Sequence, residues 1–178
     1  MTGRELYRSV AAMGWTTELS MKQNFYTAAN LALASVSRLK RRVNSISLEG
    51  EELYDLEKCV PDFEAFAENP IVGYVRDRDY GIEGRSLLLT GRGIGKRKIR
   101  VLYYTLPYSV SEDTLDREIE LLPELSHLLV LLTAFYALLD DDTEKAEYYY
   151  RAYMNEKEAL LRGCKHSSEE CVINLSGW

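Results

Sequence analysis

The chain has 178 residues, of which 46% are apolar and 28% are charged. This is the composition of one folded domain with a sizeable core, and it excludes a disordered chain. The net charge of −6 hides a gradient, because basic side chains concentrate in residues 1–42 and acidic ones in residues 111–178. Such a gradient suits head-to-tail contact between copies of one chain, or contact with a charged partner. Thirteen tyrosines against four phenylalanines suit either subunit interfaces or the rim of one core.

Cysteine usage and hydropathy indicate the compartment. The cysteines Cys59, Cys164 and Cys171 are odd in number and dispersed, and we expect no signal peptide from the first residues. Both features favour free thiols in a reducing interior. The one long apolar run, residues 121–139, contains polar side chains and has no basic flank. It therefore predicts a buried helix of a soluble protein rather than a membrane span.

Two helices are predicted near the N-terminus. Thr2 followed by Glu5 is a capping box, and Gly14 ends the helix that this box begins. Apolar positions that recur every three or four residues predict a longer amphipathic helix over residues 20–43. Cations at the end of this helix complement its dipole and need no nucleic acid to explain them. These cations are Arg38, Lys40, Arg41 and Arg42.

The next part of the chain, residues 44–110, changes to a β pattern. Residues 86–90 and 98–104 read as strands, and the glycines of residues 91–95 suit a hairpin loop between them. Shorter strands are predicted near residues 45–48 and 71–75. This segment is therefore predicted to be a β-rich insertion between helices.

The last third of the chain predicts two packed helices. Pro123 suits a first helical turn, and the leucine stripe that follows is broad enough to need more than one neighbour. Three consecutive carboxylates oppose the dipole at a helix C-terminus but favour a helix N-terminus, so they predict a helix hinge. These residues are Asp140, Asp141 and Asp142. The second helix is predicted over residues 143–162, with Gly163 as its stop.

Together these elements predict a mainly α protein with a β insert (α+β). The expected architecture is an antiparallel bundle of about four helices with a central insertion that contains a β-hairpin. We divide the chain into N-terminal helices (1–43), a β-rich insertion (44–110), a helical hairpin (111–163) and a C-terminal tail (164–178). The tail ends in apolar residues, which suits either a frayed end or a peptide that docks on a partner.

The glycine-rich segment, residues 91–97, is the closest approach to a nucleotide-binding motif. It lacks the first glycine and the final Ser or Thr of a phosphate-binding loop, and a strand follows it instead of a helix. A hairpin turn is the better interpretation. Basic side chains in and after this segment suit three interpretations: contact with a DNA backbone, contact with another protein, or a solvated sheet edge that resists strand pairing. They are Arg92, Lys96, Arg97, Lys98 and Arg100.

Catalytic and metal-binding patterns are sparse. His127 lies on an apolar helix, where a buried and satisfied histidine is the usual finding, and His166 is the one other histidine. Cys164, His166 and Cys171 supply three zinc ligand types without a fourth at a suitable spacing. No serine or cysteine has a local nucleophile signature. We expect no enzyme activity and no cofactor, and a small enzyme or zinc protein is the third-ranked hypothesis.

Four segments of the chain carry a family resemblance. They are the long N-terminal helix at 20–43, Val101-Leu102-Tyr103-Tyr104 running into Leu106-Pro107, Leu122-Pro123-Glu124-Leu125, and the run from Leu138 to Ala146. In these segments the chain resembles the head-to-tail adaptor (connector, or gatekeeper) proteins of tailed bacteriophages. The chain is similar to this family over most of its length, best over residues 101–161, whereas residues 45–100 align with nothing in the family. The match leaves open the short-tailed or long-tailed phage type.

The resemblance implies a function and a set of partners. It implies a twelve-fold adaptor ring beneath the portal protein, next to a downstream tail or nozzle protein, with genomic DNA passing through the lumen. Copies of the chain would contact each other through dissimilar surfaces. The location would be the virion neck, and the host cytoplasm during assembly. It also implies that the tail docks on the portal, through Val172, Ile173, Leu175 and Trp178.

Overall fold

A computed structural model describes residues 1–14, 22–50, 52–91 and 98–164. Its chain forms two compact units, one from Met1–Lys40 with Pro107–Trp178 and one from Arg41–Leu106. We call them the α unit and the β unit. In chain order the elements are α1 (Gly3–Ala12), α2 (Lys22–Val36), β1 (Val43–Leu48), β2 (Leu53–Asp55), the single-turn α3 (Leu56–Cys59), β3 (Phe63–Ile71), β4 (Tyr80–Glu83), β5 (Ser86–Leu89), β6 (Ile99–Thr105), α4 (Ser126–Leu138) and α5 (Thr143–Cys164).

The α unit is organised around α4. Most of the 13 residues of this helix are buried, and it packs against α5, α2 and α1. A helix that is apolar on all sides must be covered on all sides, so α4 takes the central position. The prediction that its leucine stripe needs more than one neighbour is confirmed. A 3-10 turn, Pro123–Leu125, leads into the helix with Pro123 in its first turn.

The first helix begins as the sequence predicts. The Thr2 hydroxyl accepts from the Glu5 amide at 3.2 Å, and the Glu5 carboxylate accepts from the Thr2 amide at 2.8 Å. The helix ends at Ala12 with Met13 as its C-cap, and Gly14 then adopts a φ of 99°, a conformation that favours glycine. The carbonyl of Met13 also accepts a hydrogen bond from the Tyr149 hydroxyl at 3.0 Å, which ties the end of α1 to α5.

The segment between the β unit and α4 is fixed to the helices by polar contacts. The Asn30 side chain on α2 donates to the Val110 carbonyl at 3.0 Å and accepts from the Val110 amide at 2.7 Å. Near the start of α1, Arg4 forms an ion pair with Asp116. This hydrogen bond and charge contact lower the pKa of the Asp116 carboxyl group. Residues 107–122 are therefore held against α1 and α2 as part of the α unit.

The β unit contains two antiparallel sheets of three strands each, in the orders β1-β6-β3 and β2-β5-β4. Their inner faces share one apolar core. The strand β5 shows the alternation clearly, since Leu87 and Leu89 are buried whereas Leu88 between them is exposed. The turn after β3 is held by Asp79, whose carboxylate accepts from the Val75 amide at 2.8 Å and pairs with Arg78.

The two strands predicted to form a hairpin are not partners, so this prediction is wrong. Strand β5 pairs with β2 and β4, whereas β6 pairs with β1 and β3. Each is the central strand of its own sheet, where apolar strands gain two neighbours and the most burial. The connection from Leu89 to Ile99 is also longer than a tight hairpin loop.

The predicted fold class is wrong for the same reason. We expected a four-helix antiparallel bundle with one hairpin-containing insertion, whereas the described residues form an α+β protein in which six strands make two sheets. The sequence signals of β2, β3 and β4 were missed because these strands contain glycine, proline or charged residues, and the segment at 71–75 is largely a turn.

Two helix ends also differ from the prediction. Helix α2 ends at Val36 rather than at residue 43, because Val43 begins β1 and only happens to fit the helical period. Its basic residues serve separate contacts, since Lys40 pairs with Glu124 at 2.8 Å and Arg41 lies 3.9 Å from Glu64. Helix α5 continues past Gly163 to Cys164.

The alternation in β5 gives a matched test of the fold. We expect Leu87→Ala to lower the free energy of unfolding by about 2–5 kcal/mol, because it leaves a cavity at a fully buried site. The neighbouring Leu88→Ala removes a side chain that is 44% exposed and should cost less than about 1 kcal/mol. Urea denaturation of the full chain measures both. Equal losses for the two variants would contradict the assigned register.

Candidate interaction surface

The outer face of α5 carries a large exposed aromatic side chain. Tyr148 is 67% exposed and lies on the side of α5 away from α4. Glu144, Arg151 and Asn155 share this side, because they lie four residues before, three after and seven after Tyr148. We call these four residues the α5 face. Aromatic side chains with a polar tip are typical anchors of protein interfaces, so the α5 face is a candidate contact surface.

The opposite side of α5 uses its aromatic residues for packing. The ring of Tyr150 lies 4.8 Å from that of Phe135 on α4 and stacks 6.1 Å from that of Tyr153. Burial of Tyr153 raises the pKa of its hydroxyl to about 12. The Lys157 ammonium lies 5.8 Å from the Tyr153 ring centre. These tyrosines therefore hold α5 against α4, and Tyr148 faces outward.

The three aspartates lie between α4 and α5, which end at Leu138 and begin at Thr143. Asp142 caps α5, because its carboxylate accepts from the Lys145 amide at 3.0 Å. Asp140 and Asp141 are exposed and form no ion pair within the described part of the chain, and the same holds for Glu144. The N-terminal end of the α5 face is thus negatively charged.

A second outer face lies on α2, and the sequence prediction missed it. Leu31 is 51% exposed, and Thr27 and Ala34 lie on the same side of α2 at spacings of four and three residues. Arg38 is exposed in the turn that follows, two residues after the helix ends at Val36. We call these residues the α2 face. No charged residue occurs between Lys22 and Arg38, although surface helices ordinarily carry charges on the exposed side. This uncharged run is the sequence signal from which the α2 face could have been predicted.

The predicted basic site is described only in part. Lys98 and Arg100 are exposed at the start of β6, where Arg100 lies across from Ser47. The other predicted basic residues, Arg92, Lys96 and Arg97, lie outside the described residues. So do the four predicted docking residues of the tail, Val172, Ile173, Leu175 and Trp178.

The predicted environment of His127 is wrong. Its side chain is exposed rather than buried, and its Nδ1 lies 2.8 Å from a carboxylate oxygen of Glu156 on α5. The apolar character of α4 suggested burial, but His127 lies in the first turn, where the helix still meets solvent. Cys59 is an exposed free thiol. Among the residues that the structure describes, no His, Cys, Asp and Glu side chains are grouped to hold a metal ion.

The β unit has its own exposed apolar residues, which the sequence reasoning also missed. Leu53 and Leu88 are cross-strand neighbours on the outer face of their sheet, and Val72 and Val75 are exposed in the turn after β3. Within the described ranges, no helix is both long enough and apolar enough to span a membrane.

Comparison with known proteins gives no further identification. No family model matches the chain, and no curated protein is similar to it.

The pKa of Tyr153 gives a test of the packing behind the α5 face. The folded chain keeps the Tyr153 proton up to about pH 12, whereas an unfolded tyrosine releases it near about pH 10. The contribution of the protonated Tyr153 hydroxyl to the free energy of unfolding is therefore complete below about pH 10, and it is lost as the pH rises toward about 12. We expect Tyr153→Phe to lose less stability than the wild type over this range in urea denaturation. The control is Tyr148→Phe on the exposed side, and an unchanged pH profile for Tyr153→Phe would contradict the assignment.

Proposed function

We propose that this chain is a structural virion protein, a subunit of the adaptor ring that joins the portal to the tail of a bacteriophage. In this role it binds the portal protein, a downstream tail or nozzle protein and other copies of itself. Genomic DNA passes through the ring during packaging, retention and ejection. The protein works through its surfaces and needs no cofactor.

The observation that carries this proposal is the pair of outer faces on the α unit. A ring requires each subunit to offer two dissimilar surfaces, one to each neighbour. Helices α2 and α5 both pack against α4, and far more than against each other, so their outer faces point in different directions. Each face exposes a large apolar side chain, Leu31 on one and Tyr148 on the other. The segment that most resembles the adaptor family, residues 101–161, includes α4 and most of α5.

The charge of the chain favours a conduit over a DNA-binding protein. Tight binding to DNA normally uses many cations against phosphate groups, whereas this chain has a net charge of −6. A DNA passage that holds the backbone weakly allows the genome to slide. The alternative function uses the exposed Lys98 and Arg100 with the basic residues before them. It requires affinity for duplex DNA that falls steeply with salt and is lost when Lys98 and Arg100 become alanine.

Portal binding by the tail is the direct test of this function. We expect serine at Val172, Ile173, Leu175 and Trp178 to weaken binding to the portal protein of the same phage by about 100-fold or more, since apolar and aromatic anchors dominate such interfaces. The measurement is the affinity of the full-length variant for the assembled portal.

A matched control lies in the same tail. Alanine at Glu169 and Glu170 changes only its polar part and should leave the affinity unchanged. Equal affinity of the serine variant and the wild type would remove the docking claim. Absence of any binding by the wild type would remove the proposed function.

A further inference from the structure

We infer that the α2 face of one copy packs antiparallel on the α5 face of the next copy, and that this contact builds the ring. The inference rests on the proposed ring-forming function and identifies the surfaces that perform it. It requires that the two faces match in length, in shape and in charge.

The spacing of the two faces matches. The α2 face has residues at 27, 31, 34 and 38, and the α5 face has residues at 144, 148, 151 and 155. The helical part of the α2 face, residues 27 to 34, and residues 148 to 155 of the α5 face have the same steps of four and three when read in opposite directions, so both are about 10 Å long. Arg38 follows in the turn after α2, and Glu144 lies one helical turn before Tyr148. In an antiparallel pair, Thr27 meets Asn155 and Arg38 meets Glu144.

The side chains at the centre of this register are complementary in size. Ala34 lies opposite Tyr148, so the smallest residue of one stripe faces the largest residue of the other. Leu31 then lies beside the Tyr148 ring and the aliphatic part of Arg151, and its exposed surface is removed from water. A small residue beneath an aromatic ring allows the two helices to approach closely.

Charge selects the antiparallel direction. Arg38 and Glu144 are both exposed, and neither forms an ion pair within the described residues. The antiparallel register places them together, close to Asp140 and Asp141, and it brings the C-terminal end of α2 to the N-terminal end of α5. A parallel register would instead place Arg38 against Asn155, next to the cation of Arg151, and would leave Glu144 beside uncharged Thr27.

The uncharged surface of α2 has a function in this arrangement. Charged side chains are depleted at the centre of subunit interfaces because their desolvation is costly. The exposed side of α2 has no charged residue between Lys22 and Arg38, whereas the charges of the α5 face lie at Glu144 and Arg151. Arg151 already has a partner in Glu147, at 3.1 Å on the same helix.

Cross-linking between two different variants tests this contact. Cys59, Cys164 and Cys171 are first replaced by serine, and Ala34→Cys and Tyr148→Cys are made separately in that background. The two full-length proteins are mixed and assembled, alone or on the portal, and treated with a short bis-maleimide. We expect cross-linked dimers only in the mixture, because Ala34 of one copy faces Tyr148 of the next.

The outcomes separate the contact from the function. Dimers formed by either variant alone would overturn the inferred pairing in favour of a symmetric contact. An assembled oligomer that gives no cross-link in the mixture would overturn the pairing and leave the ring function standing. Failure of the wild type to oligomerise, both alone and with the portal, would overturn both.

A charge exchange tests the direction of the helices. We expect Arg38→Glu to raise the subunit concentration needed for half-assembly by about tenfold, because two carboxylates then face each other. Adding Glu144→Lys in the same chain should restore assembly. Glu49→Lys on the β unit is the control for an unrelated charge change and should have no effect. A double variant as weak as Arg38→Glu would overturn the antiparallel register.

Discussion

The burial of α4 on all sides is the constraint on which the α unit depends. A helix with apolar residues around its whole circumference leaves water only when other helices surround it, and α1, α2 and α5 do so. Each surrounding helix therefore turns one side inward and keeps one side free. The free sides of α2 and α5 expose Leu31 and Tyr148. The proposed assembly removes both side chains from water.

Local signals in the sequence predict the local structure well. The capping pair of Thr2 and Glu5 starts α1, and the leucine run after Pro123 forms the central helix. Pairing between distant strands was not predictable in this way. The strands at Leu87 and Val101 are neighbours in sequence and look like a hairpin, yet each takes the centre of a different sheet. Strand partners are set by burial and by residues far along the chain, which no short window contains.

The candidate surface was predicted less well than the helices. Periodicity counts the apolar residues that face inward, and it identified the buried side of α2 without weighing the missing charges on its outer side. Composition indicated interfaces, but it could not separate the ring of Tyr148 from the rings of Tyr150 and Tyr153, which pack against Phe135 and against each other. That distinction needs the position of α4. The tail remains a prediction that rests on its apolar residues and on the family resemblance.

Side-chain footprinting on assembly tests the central claim most directly. Hydroxyl radicals label exposed leucine and tyrosine side chains, so labelling of Leu31 and Tyr148 can be compared between separated and assembled subunits. We predict that both residues lose labelling on assembly, whereas Leu53 of the β unit, which is 58% exposed, keeps its labelling in the ring of this chain alone. Unchanged labelling of Leu31 and Tyr148 in a fully assembled oligomer would contradict the account.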